Sequence, residues 1–129
     1  MPAEIIEKEL SYKIVQAAYQ VYNTLGPGFT ENIYEEAMVI VLNKDGQQLE
    51  RQKPVDVYFQ GQKIGRHVLD LVVNQRVIIE LKAVAEIVQI HKQQALSYLK
   101  ATNLVLAIVI NFGAKELQFM RVVNTRHKK

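Results

Sequence analysis

The sequence predicts a mixed α/β fold, with an α+β mixed sheet and the element order helix, helix, three-strand meander, helix, two strands. Three observations predict it. Apolar residues recur at three- and four-residue steps over 5–25 and 87–100, which indicates two amphipathic helices. Apolar, β-branched runs on both sides of the polar break Asn74-Gln75-Arg76 indicate a hairpin. The continuous apolar run 104–110 is typical of a strand buried on both faces.

The two N-terminal helices have clear boundaries. Gly26-Pro27-Gly28 ends the first helix, because glycine accepts a left-handed cap and proline cannot continue a helix. Thr30 is a suitable N-cap for a second helix that runs to about Asp45 and is followed by Gly46. The apolar contacts of this second helix are expected to be Ile33, Ala37, Ile40 and Val41.

The strands follow in sequence. Residues 49–59, 63–73 and 76–83 predict three antiparallel strands, and Pro54 marks the first as an edge strand or as irregular. The helix over 87–100 places Gln94 and Tyr98 one turn apart on one face. After the buried strand 104–110, alternation over 116–123 predicts an outer strand.

Composition limits the function classes. With 129 residues, 49% of them hydrophobic and 22% charged, residues 1–129 are expected to form a single soluble domain. Cysteine is absent, which excludes disulfides, thiolate metal sites and cysteine nucleophiles. His67, His91 and His127 lack metal-ligand spacing, so zinc is not expected. Neither a leader nor a membrane-length apolar run is present, so we expect a cytoplasmic protein without membrane contact.

The net charge of +3 is compatible with a polyanionic partner. Part of this charge lies in the C-terminal residues Arg126-His127-Lys128-Lys129. That segment is either a solvated tail or an arm that touches phosphate.

The most informative residues are Asp70 and Glu80-Leu81-Lys82, all within the predicted hairpin. Because side chains alternate along a strand, Glu80 and Lys82 point to one face. A two-residue turn at Asn74-Gln75 would put Asp70 on the opposite face from Glu80. A three-residue connection that includes Arg76 would pair Asp70 with Glu80 directly, and we predict this second register.

Two facing carboxylates repel each other unless a cation lies between them. Hard oxygen ligands are those that Mg²⁺ accepts, and a neighbouring lysine can position an attacking water. The pattern therefore predicts a Mg²⁺ or Mn²⁺ site, and the alternative is an ordinary solvated sheet face with one Glu–Lys pair.

The element order and the acidic pair resemble the core of the PD-(D/E)XK nuclease superfamily, a restriction-endonuclease-like fold. The segment Gly28-Phe29-Thr30-Glu31-Asn32-Ile33-Tyr34 is similar to the signature of the GxxExxY family within it. The later segments that match this family also come in its order: Asp70, Glu80-Leu81-Lys82, the segment 91–99 with Gln94 and Tyr98, and Asn111-Phe112-Gly113. The resemblance covers about residues 10–123. The superfamily motif has a proline before its first acid, and Leu69 stands in that place here.

The resemblance implies a divalent-metal phosphodiesterase centre. Asp70 and Glu80 would bind the metal, with the backbone carbonyl of Leu81 as a third ligand. Lys82 would hold the attacking water or stabilise charge in the transition state. Glu31 would bind metal through water or complete a second metal site, and Gln94 would orient water or a phosphate oxygen. Tyr34 and Tyr98 would support the site by hydrogen bonding; the alternative for both is a place at the edge of the core.

Three functions are compatible with these observations. The first is a metal-dependent nuclease, for which we expect DNA rather than RNA, acting as a homodimer or with a partner because so small a domain buries little of a duplex. The second is a nucleic-acid-binding module with a vestigial metal site. The third is a protein-interaction domain that binds without metal.

Overall fold

The computed structural model describes residues 5–125, and the basic segment 126–129, which contains His127, lies outside them. The element order is the predicted one, and the boundaries differ from those expected by three residues at most. The elements are α1 (Lys8–Leu25), α2 (Glu31–Lys44), β1 (Leu49–Phe59), β2 (Gln62–Val73), β3 (Val77–Lys82), α3 (Gln89–Thr102), β4 (Leu106–Asn111) and β5 (Gln118–Val123). No helix within the described residues is long and apolar enough to cross a membrane.

The five strands form one mixed sheet in the order β1-β2-β3-β4-β5. β1, β2 and β3 are an antiparallel meander, α3 crosses over to place β4 parallel to β3, and β5 runs antiparallel to β4. Pro54 lies on the edge strand β1, where a missing N–H costs no ladder bond on the open side. Every residue of β4 is buried, as the apolar run predicts.

Each face of the sheet has its own apolar core. On one face α1 and α2 pack against strand residues such as Ile79, Leu81 and Ile108. On the other face α3 packs against residues that include Leu69, Val72 and Ile78. Glu80, which alternates with Ile79 and Leu81, is therefore on the α3 side of the sheet.

The buried face of α2 is only partly the expected one, with Ala37 and Val41 packed against the core as predicted. Ile33 and Ile40 are exposed, and the side chains that α2 buries are Tyr34, Glu35, Met38 and Leu42. Tyr34 and Glu35 can be buried because their polar atoms have hydrogen-bond partners. Apolar residues lie on several sides of α2, so its sequence alone does not show which face is buried.

The β1–β2 hairpin extends well beyond β3. β2 pairs with β3 only over Leu71–Val73, whereas its pairing with β1 continues to Phe59 and Gln62 at the tip. The tip residues Gln60 and Gly61 both have positive φ, which a two-residue hairpin turn needs. We call residues 53–69 the arm.

Candidate functional site

The register of β2 and β3 is the one predicted from a three-residue connection. Leu71 pairs with Ile79 and Val73 with Val77, so the two-residue turn is excluded and the same offset places Asp70 opposite Glu80. Ladder pairing ends at Leu71, and beyond it the Asp70 Oδ2 accepts a 2.8 Å hydrogen bond from the Leu81 backbone N–H. The Asp70 carboxylate therefore lies in the gap where the two strands separate.

Glu80 is a buried acid with an unsatisfied oxygen. Its exposure is 6%, and its Oε1 has no hydrogen-bond partner among the described residues. Burial and the neighbouring Asp70 carboxylate raise the pKa of Glu80 to about 8, while the Lys82 ammonium opposes that rise. Two adjacent acids, one of them buried, favour a cation, because a cation favours the charged form of both.

An aromatic pair lies near this acidic pair on the α3 side of the sheet. The His67 ring stacks on the Tyr98 ring with centroids 3.8 Å apart. Burial raises the pKa of Tyr98, and the negative charges of Glu80 and Asp70 raise it further. Burial lowers the pKa of His67; Asp70 opposes this shift, and Lys82 adds to it. Tyr98 is thus within electrostatic range of both acids, and His67, which sequence spacing does not connect to the site, lies beside it.

Glu31 reaches the site from the other side of the sheet. It is exposed at the start of α2 and lines a cleft of about 330 Å³ with Asp70 and Leu81. Within residues 5–125 no three His, Asp or Glu side chains converge closely enough to bind an ion together. This geometry is compatible with Glu31 acting through water.

Glu35 and Gln52 are two cleft residues that sequence patterns alone do not single out. Glu35 Oε2 accepts hydrogen bonds from Arg51 at 3.1 and 3.0 Å, and its Oε1 accepts one of 2.6 Å from Gln52. Arg51 also pairs with Glu36. Gln52 has a φ of 49°, a left-handed conformation that costs energy in a non-glycine residue. The one available signal is that Glu35 follows Glu31 by one helical turn.

Tyr34 holds the loop from which α2 begins. Its hydroxyl donates a 2.6 Å hydrogen bond to the Gly26 carbonyl and accepts a 3.2 Å one from the Phe29 backbone, and its ring stacks on Phe112. These bonds connect Tyr34 to the loop between the helices. Its support for the site is therefore indirect, through the position of Glu31.

Asn111 and Gly113 shape the loop that follows Lys82. The fully buried Asn111 amide makes 3.0 Å hydrogen bonds with both backbone groups of Val84, with the Gly113 N–H and with Gln118. A Cβ at Gly113 would lie 2.4 Å from the carbonyl carbon of Ala83, so only glycine fits there. The segment Asn111-Phe112-Gly113, which resembles the family's pattern, thus supports the loop at the end of β3.

The remaining predicted residue, Gln94, is half-buried on α3 one turn before Tyr98, and its amide makes no hydrogen bond within the described residues.

The donor set of the site suits a divalent cation: two adjacent carboxylates, one with an unsatisfied buried oxygen, and a backbone segment at Leu81. Mg²⁺ is commonly held by one or two carboxylates with water completing its shell.

Comparisons with known proteins identify a family and a similar fold. The family model described as the PD-(D/E)XK nuclease superfamily matches residues 8–122. The fold is similar to the crystal structure of SSO0001, with a TM-score of 0.58 and 18% identity over 91% of this chain and 57% of that chain. The present chain thus spans little more than half the length of that protein. None of the curated proteins matches this sequence significantly.

Proposed function

Because the chain belongs to the PD-(D/E)XK nuclease superfamily, we propose that it hydrolyses phosphodiester bonds of nucleic acid in a reaction that depends on a divalent metal. Within the superfamily we assign it to the GxxExxY family, on the segment 28–34 that positions Glu31. The observation that carries the proposal is the pairing of half-buried Asp70 with buried Glu80, whose unsatisfied carboxylate oxygen has Lys82 nearby.

The proposed roles follow from position. Asp70 and Glu80, with the Leu81 carbonyl, would hold Mg²⁺ or Mn²⁺, which supplies charge stabilisation and activates water when bound. Lys82 orients the attacking water and stabilises the negative charge that develops on the phosphorus oxygens. In hydrolysis the water oxygen bonds to phosphorus and gives up a proton, the bond between phosphorus and the leaving sugar oxygen breaks, and that sugar oxygen takes up a proton.

The remaining site residues have supporting roles in this proposal. Glu31 acts at the cleft through water, and Gln94, whose amide has no partner in the described chain, orients water or a phosphate oxygen. Tyr98 lies within electrostatic range of both acids and supports the site from α3. Tyr34 fixes the start of α2.

The proposed substrate is DNA rather than RNA, and the proposed unit is one domain spanning residues 1–129. Specific duplex complexes bury roughly 1,000–2,500 Å² of protein, whereas single small modules bury roughly 600–1,000 Å². We therefore propose that it acts as a homodimer or with a partner.

The test is a cleavage screen with single-stranded, duplex and branched DNA and RNA, each with Mg²⁺, with Mn²⁺ and with chelator. We expect metal-dependent cleavage that falls roughly a hundredfold in Lys82→Ala, because one preorganised charge at a phosphoryl centre is commonly worth about 3 kcal/mol. Nucleic-acid affinity should fall by no more than the loss of one phosphate contact would cause. Such a loss reduces the slope of log affinity against log salt concentration by about one unit.

The matched control is Lys44→Ala. Lys44 is exposed at the opposite end of α2 from Glu31, about 20 Å away at 1.5 Å per residue, and its loss removes the same charge. Cleavage that persists at the original rate in Lys82→Ala would contradict the role of Lys82. Binding without cleavage in every substrate, unaffected by Asp70→Ala, would identify a binding module instead.

A further inference from the structure

We propose that the arm, residues 53–69, binds the nucleic acid that flanks the scissile phosphate, along the face that carries Tyr58, Lys63 and Arg66. The proposal rests on the function proposed above, and it assigns to this chain a substrate-contacting surface outside the carboxylate site.

The pairing of β1 with β2 defines this face. Tyr58 pairs with Lys63, and Asp56 pairs with Arg66, so the members of each pair share a face; the register shifts between Val57 and Tyr58. Two ion pairs confirm their proximity: Lys63 Nζ lies 3.2 Å and Arg66 Nε 3.0 Å from Asp56 Oδ1. Asp56 thus holds both cations on one surface, and the guanidinium and ammonium donors that it leaves free point to solvent.

The two faces of the arm have different surroundings. On one face Val55 and Leu69 pack into the α3 core, and His67 stacks on Tyr98. On the other face Tyr58 is 62% exposed, and the side chains of Lys63 and Arg66 are 45% and 54% exposed. This second face is open to a partner in the described part of the molecule.

The open face begins at the catalytic cleft. Gln52 and Asp70, at the base of the arm, line the cleft together with Glu31. Arg66 is four residues from Asp70 along β2, or roughly 13 Å, and Lys63 is seven residues away, or roughly 23 Å, at the usual strand rise. Successive phosphates of one strand advance about 3.4 Å along the axis of a duplex, so an arm aligned with that axis would follow about four to seven nucleotides on one side of the cut.

Charge and shape favour nucleic acid over a second copy of this chain. The arm carries three lysine or arginine residues, Lys53, Lys63 and Arg66, and a single acid, so two arms would repel each other. Phosphates complement this charge, and an exposed tyrosine beside two cations can stack on a base. A two-stranded β-ribbon also has the width that the major groove of DNA admits.

The test measures binding by fluorescence anisotropy, with labelled duplex and single-stranded DNA in chelator over a salt series. Lys63→Gln combined with Arg66→Gln should weaken binding about tenfold or more and reduce the salt slope by about two. The control pair Lys13→Gln with Lys44→Gln removes the same charge from exposed helix positions and should have a smaller effect on affinity.

Two single variants give effects of different kinds. Asp56→Asn releases both cations from their internal partner and should tighten binding and steepen the salt slope. Tyr58→Ala should weaken binding roughly 5- to 100-fold without changing the salt slope, and Tyr58→Phe should retain it. All four positions are exposed or half-exposed, so melting temperatures should stay close to that of the native protein.

The outcomes separate this proposal from the nuclease proposal. Metal-dependent cleavage with arm variants that bind like the control pair would overturn the role of the arm and leave the nuclease intact. Binding that follows the arm variants, without cleavage of any substrate, would support the arm and refute hydrolysis. The arm proposal would be overturned if the native protein bound neither the duplex nor the single-stranded DNA. It would also be overturned if the native protein sedimented as a dimer and the Tyr58→Ala variant as a monomer.

Discussion

Raising the pH in the absence of metal should destabilise this protein, because Glu80 holds a proton in the folded state that it has lost in the unfolded chain. Its pKa rises from an ordinary value of 4.5 to about 8 on folding. Between these values the folded state binds more protons at Glu80 than the unfolded state, so the contribution of Glu80 to stability is greatest below pH 4.5 and falls as pH rises towards 8.

The size of the effect follows from the same shift. One pH unit within this window changes the free energy of unfolding by up to about 1.4 kcal/mol, so the step from about pH 5.5 to about pH 7.5 should cost about 2–3 kcal/mol. The variant Glu80→Gln imitates the protonated acid and should lack this loss. Because His67 is unchanged in the variant, the difference between the two proteins isolates the contribution of Glu80.

The assay is urea denaturation of both proteins across this pH range in chelator. Glu116→Gln, at an exposed acid between β4 and β5, is the matched control and should follow the native protein. Equal pH dependence in the native protein and in Glu80→Gln would show that Glu80 does not carry a raised pKa, and would refute the reasoning.

Two further results are expected. Millimolar Mg²⁺ or Mn²⁺ near pH 7.5 should raise the melting temperature by several degrees, since a ligand at a hundredfold excess over its Kd stabilises the fold by about 2.7 kcal/mol. Asp70→Asn should abolish that shift in a thermal melt and Asp45→Asn should keep it, so a shift that survives in Asp70→Asn would count against the site. Gly113→Ala should destabilise the protein to urea by at least about 2 kcal/mol, because its Cβ would meet the carbonyl carbon of Ala83 at 2.4 Å. Gly65→Ala, where a Cβ meets nothing within 4 Å, should change stability by about 0.5 kcal/mol or less, and equal losses in both variants would contradict this account.

The register of the hairpin could be predicted from sequence because it depends on local features. A three-residue polar break and a period of two along each strand suffice to place Asp70 opposite Glu80. The surroundings of these acids depend on contacts between distant elements. The stack of His67 on Tyr98 requires α3 to dock on the sheet, and the bonds of Glu35 to Arg51 and Gln52 require α2 to meet β1.

The buried face of α2 shows a second reason why sequence falls short. Ile33 and Ile40 are exposed although apolar periodicity places them in the core. Tyr34 is fully buried instead, because the Gly26 carbonyl and the Phe29 N–H satisfy its hydroxyl and Phe112 stacks on its ring. Partners of this kind become visible only once the fold has brought them together.

The most direct test of the central claim is a crystal structure of the protein soaked in Mn²⁺, with anomalous scattering recorded to locate the ion. We expect an anomalous peak from an ion bound by the carboxylates of Asp70 and Glu80, with the Glu80 Oε1 among its ligands. An absence of anomalous density between these two side chains, or an ion held by other residues, would contradict it.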